Sequence, residues 1–78
     1  MKYLVELKQD SQNNSILVRE TELDQYCIVR GWRVRHETHT FSSLEEVSNF
    51  ILSNNDVTDR FFCMHEENKK ELMKLIEE

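Results

Sequence analysis

The sequence predicts an α+β domain: a small antiparallel sheet of three to four strands, one face covered by two helices, with residues 1–78 as a single unit. Three observations lead there. Residues Lys2–Lys8 alternate apolar and polar side chains with a period of two. From Phe41 onward the apolar residues change to helical spacing, with Leu44, Val47, Phe50 and Ile51 on one face. The C-terminal stretch repeats that spacing around Leu72, Leu75 and Ile76, and the chain holds no proline to interrupt either helix.

In the first strand Tyr3, Val5 and Leu7 share one face, and Lys2, Glu6 and Lys8 the other. Leu4 falls among the polar set, which predicts partial cover on that side. The turn formers Asp10-Ser11-Gln12-Asn13-Asn14-Ser15 predict a hairpin loop, and Ile16–Glu20 the returning strand. Thr21–Gln25 reads as a second connection. Tyr26–Thr40 is rich in β-branched and aromatic residues, so it continues the sheet. Its phase slips at Gly31, as at a β-bulge, giving three strands; a tight hairpin at Arg30-Gly31 is the alternative and gives four.

Ser42 with Glu45, and Ser43 with Glu46, are two overlapping capping boxes that open a helix over about 43–53, which Asn54-Asn55-Asp56 ends. Glu66–Glu78 is the second helix, with Leu72, Met73, Leu75 and Ile76 toward the core. Between them Arg60–Met64 fits both a short buried strand and the first turns of that helix.

A chain of 78 residues buries only about 60% of the surface that its unfolded form exposes. Its core therefore contributes little beyond ~3–5 kcal/mol net, which favours a binding module over an enzyme with a deep pocket. With 38% hydrophobic and 32% charged residues the composition is that of a soluble globular protein. No apolar run approaches the roughly 20 residues that cross a bilayer. The strand-like start without an apolar export signal predicts a cytoplasmic protein, with Cys27 and Cys63 reduced and partly buried.

Chemical motifs are weak. His36-Glu37-Thr38-His39 is one residue short of the spacing that sets two imidazoles on one face of a helix. His36, His39, Cys63 and His65 are zinc-compatible ligand types without a Cys-x-x-Cys anchor. A single glycine cannot build a glycine-rich phosphate loop. Each serine is accounted for by a loop or a cap, and the Cys63 thiol lies in an apolar run that lowers its reactivity. No enzymatic activity, metal or cofactor is expected.

The residues that stand out are Arg30-Gly31-Trp32-Arg33-Val34-Arg35. Arg and Trp are enriched where binding energy concentrates. As a partner surface, Trp32 anchors while Arg30, Arg33 and Arg35 contact carboxylates. As ordinary structure, Trp32 is the largest core residue and the arginines pair across the sheet with Glu6, Glu20 or Glu22. Residues 1–41 hold six basic and six acidic side chains; residues 42–78 hold four and nine, the whole net charge of −5. Of those acids, Glu45, Glu46, Asp56 and Asp59 have no lysine near them in sequence and are the second candidate surface. Such a surface suits a basic groove of a nucleic-acid-processing protein.

The size, the acidity and the junction Phe41-Ser42-Ser43-Leu44-Glu45-Glu46 are similar in style to small phage-encoded inhibitors of the anti-CRISPR kind. The resemblance is architectural and spans residues 1–78. It implies a stoichiometric inhibitor or accessory factor of phage or mobile-element origin, a monomer or homodimer that binds a larger host protein or protein–nucleic-acid complex. A nucleic-acid-binding regulator using the Arg30–Arg35 stripe is the alternative.

Overall fold

The computed structural model describes residues 1–24, 26–31 and 34–77, with Arg30 and Gly31 as backbone only. The elements are β1 (Lys2–Gln9), β2 (Asn14–Thr21), β3 (Cys27–Gly31), β4 (Val34–Phe41), α1 (Leu44–Ser53), β5 (Asp59–Cys63) and α2 (Glu66–Glu77). The five strands form one sheet in the order β3-β4-β1-β2-β5.

The sheet is larger than expected and is mixed. Of Arg60–Met64, all but Met64 is strand: β5 pairs with β2 in parallel, Ile16 opposite Arg60 and Val18 opposite Phe62. A strand wins here because Phe62 joins the core while Phe61 stays exposed, the alternation of a strand lying on the apolar layer. The phase slip at Gly31 is not a bulge. β3 and β4 are antiparallel, with Gly31 opposite Val34, so the chain reverses two residues beyond the Arg30-Gly31 hairpin position.

β1 lies at the centre, antiparallel to both β2 and β4. Tyr3, Val5 and Leu7 face the helices together with Ile16 and Val18 of β2. Leu44, Val47 and Ile51 of α1, Val57 of the following loop and Leu72 of α2 close the core over them. Phe41, Phe50, Phe62, Met64, Leu75 and Ile76 pack at its margin. Of the expected core face of α2, only Leu72 is wholly buried; Met73, Leu75 and Ile76 are partly so.

Local chemistry fixes the ends. Ser43 is the N-cap of α1, its Oγ accepting from Glu46 N–H at 3.2 Å. The Asn54 side chain donates to the Phe50 carbonyl at 2.8 Å and closes the helix. Asp10 Oδ1 accepts the N–H groups of Gln12 and Asn13, both at 2.6 Å, and shapes the β1–β2 turn. These bonds to the charged form hold the Asp10 carboxyl below its ordinary value.

The second face of the sheet has no helix on it. Leu4 is nevertheless buried there, between its register neighbours Arg19 and Thr40. Beside it Glu6 meets Lys8 at 3.5 Å, Arg19 at 3.7 Å and His36 at 3.4 Å. Half-exposed pairs of this kind contribute about 0–1 kcal/mol each, so they order the face more than they stabilise the fold.

Candidate partner-binding surfaces

The start of α1 and one flank of α2 enclose a shallow groove of about 380 Å³. Tyr3 and Leu75 lie in it, and Glu45, Glu71 and Asn68 edge it. Glu45 and Glu46 sit in the first turn of α1, where acids complement the helix dipole, and both side chains are exposed. The Tyr3 phenol reports the local field. Burial raises its pKa above the ordinary value, and the charges of Glu20 and Glu71 raise it further. Lys70 falls by helical phase on the side of α2 away from Asn68 and Leu75, whereas Lys74 lies one helical turn from Glu71 and flanks the groove there.

Glu20 ties the groove to the sheet. Its carboxylate accepts the His65 backbone N–H at 2.7 Å and the Asn68 side-chain amide at 3.1 Å, and also meets His65 Nδ1. The backbone bond from His65, followed by the Asn68 bond, holds the Glu20 carboxyl below its ordinary value. This latch fixes the first turn of α2 against the end of β2. A glutamate at a strand end gives no local sign of a partner 45 residues away, so sequence reasoning missed it.

The second region is the β3–β4 ribbon, beyond the helical layer. Tyr26 is 72% exposed, Val29 50%, Val34 40% and Ile28 37%. Here Arg35 does not reach Glu6, Glu20 or Glu22. It donates through Nε at 3.1 Å and Nη2 at 2.8 Å to Oε2 of Glu37, two residues along its own strand. Glu37 is 6% exposed, so the guanidinium partners a carboxylate that burial would otherwise penalise. His39 lies alongside, packed edge-on to Tyr26 and against Phe41 and Phe50.

The eight candidate residues therefore separate. Glu45 lines the groove, and Glu46 is exposed next to it in the first turn of α1. Arg35 lies at the opposite end of the sheet, register partner of Gln9, whose amide donates to Asp56 at 2.7 Å. Exposed Asp59 opens β5 at that same end, opposite Ser15. Arg30 is paired with Arg35 in the ladder, its side chain outside the described set, as are Trp32 and Arg33 entirely.

The zinc-compatible side chains do not converge. His36 lies on the uncovered face and His39 on the helix face of the same strand, while Cys63 is on the far edge. Among the described residues no three His, Cys, Asp or Glu side chains are grouped to hold a metal ion. Both cysteines are exposed rather than partly buried, because β3 and β5 are the sheet's two edges. Four strand spacings of about 4.8 Å put them roughly 19 Å apart, beyond the ~7 Å limit for a disulfide.

No helix among the described residues is long and apolar enough to cross a membrane. In comparisons with known proteins, no family model, curated protein or solved structure matches the chain.

Proposed function

We propose that the chain is a small acidic protein-binding inhibitor or accessory factor, of the phage or mobile-element kind. It binds a larger host protein or nucleic-acid-processing complex stoichiometrically and covers a basic surface on it. The observation that carries this reading is the acidic groove between α1 and α2, edged by Glu45 and Glu71. Burial first, and then the charges of Glu20 and Glu71, raise the pKa of the Tyr3 phenol inside it. A lysine or arginine of the partner entering the groove gains both the apolar wall of Leu75 for its stem and two carboxylates for its head. Clustered acids also speed capture of a basic surface by electrostatic steering.

Direct nucleic-acid binding through the arginine stripe has less support, since Arg35 is engaged by Glu37. The test is affinity capture from the native host followed by reconstitution with the purified partner. The expected result is a complex of fixed stoichiometry that weakens steeply with salt. It should be lost in Glu45→Lys/Glu46→Lys and retained in Arg35→Glu. Full binding by the Glu45→Lys/Glu46→Lys variant refutes the groove, and a salt-dependent gel shift on nucleic acid alone would put the arginine stripe in its place.

A further inference from the structure

β3 is an edge strand whose one charged residue is Arg30. Cys27-Ile28-Val29-Arg30-Gly31 holds no lysine, proline or acid, and no bulge interrupts its ladder with β4. Its backbone polarity follows from its register. With two residues between Gly31 and Val34, that pair must be hydrogen-bonded, since the alternative needs a bond inside the turn. Alternation then makes Val29 and Cys27 bond to β4 as well. The N–H and C=O groups of Ile28 and Arg30 point away from the sheet, toward the open edge.

We propose that the chain associates with a second copy of itself through this edge, the two β3 strands pairing antiparallel about a two-fold axis at Ile28. Outward-pointing groups must meet one another, which allows few registers. Centring on Val29 brings the two Arg30 positions diagonally together beside Arg35, a like-charge cluster. Centring on Cys27 draws in Asp24, which is already paired with Lys2. Centring on Ile28 avoids both costs. It sets Ile28 against Ile28 of the second copy on the helix face and Cys27 against Val29 on the other. It also sets exposed Tyr26 opposite the Arg30 position of the second copy, on the same face as Ile28. Each pair shares a face, so apolar side chains left open at both sides of β3 are covered together. The edge is only about 17 Å long, below what a standard interface of roughly 1,200–2,000 Å² requires, so the dimer is reversible and concentration-dependent.

Sedimentation equilibrium from about 10 µM to about 1 mM tests this directly. The weight-average mass should rise from 9.4 kDa toward twice that value. Hydrogen exchange at the Ile28 and Arg30 amides should slow with concentration, while the Val29 amide, already bonded to β4, should not change. Ile28→Lys, which opposes two ammonium groups on the axis, should abolish the mass increase, and Phe61→Lys on the β5 edge should leave it intact. A constant monomer mass overturns the proposal, as does loss of association in Phe61→Lys alone. If Ile28→Lys does not fold, amide protection in the unaltered chain still decides: no concentration dependence at Ile28 and Arg30 refutes the pairing.

Discussion

Leu72 is the single side chain of α2 that is wholly buried, so replacing it with alanine tests whether α2 is part of the core or merely rests on it. The change removes three carbons, a transfer loss of about 2.4 kcal/mol at ~0.8 kcal/mol per methylene. A residual cavity adds to this, because Val5, Val18 and Val47 of the same core cluster are held in a sheet and a helix that cannot collapse freely. A loss of about 3 kcal/mol is expected, within the ~2–5 kcal/mol found for buried leucines. For a chain of this length each kcal/mol lowers Tm by about 4–8 °C, so the midpoint should fall by roughly 12–24 °C. Urea unfolding followed by circular dichroism measures it, with Leu52→Ala as control, since Leu52 is on the exposed side of α1. The control should change stability by less than about 0.5 kcal/mol. Equal small losses in both variants, or a separate early transition of α2, would refute the single-core account.

Glu20 has its folded-state pKa lowered, so its bonds stabilise the fold above the ordinary carboxylate range and that contribution disappears as pH falls through the lowered value. Glu20→Gln should therefore flatten the acid limb of the stability profile measured by denaturant midpoints between about pH 2 and pH 6; an unchanged limb would remove the latch. Ser43→Ala deletes the N-cap bond to Glu46 and should cost about 1 kcal/mol in the same assay, whereas Ser42→Ala should cost almost nothing. Both thiols of the native chain should react with a water-soluble disulfide reagent without denaturant, as both cysteines are exposed; a thiol that reacts only after unfolding contradicts the edge positions.

Much of the fold can be read in the sequence because its local signals agree. The alternation of Tyr3, Val5 and Leu7 fixes which face of β1 is buried, and Ser43 with Glu46 fixes where α1 begins. The failures share one cause, which is non-local pairing. Whether Arg60–Cys63 is strand or helix depends on the free edge of β2, a partner some 40 residues earlier that no local pattern names. At Gly31 a bulge and a hairpin give the same slip in phase, and only the antiparallel ladder to Val34 separates them. The cysteines read as buried because they lie in apolar runs, but an apolar run on an edge strand has neighbours on one side only. The acidic groove was half legible: Glu45 marks it, whereas Glu71 and Tyr3 join it through the packing of α2.

The two edges of the sheet differ in a way that bears on where a partner strand can add. β5 begins with Asp59 and Arg60, and just beyond it the Glu20 latch pins His65 across the end of β2. An incoming strand there must desolvate charges at its start and meet an anchored helix at its finish. β3 carries one charge, Arg30, and no anchored helix at its end: both of its faces extend past the helices, and Ile28 and Val29 present apolar surface on opposite sides of one open backbone. Antiparallel pairing about Ile28 keeps like faces together, so the helical layers of both copies would lie on the same side of one continuous sheet. The two acidic grooves then face one way. A partner with two basic sites at matching separation would engage both, and the second contact would form at high effective concentration. Self-association at β3 and capture by the groove would thus be separable in their residues and cooperative in their effect.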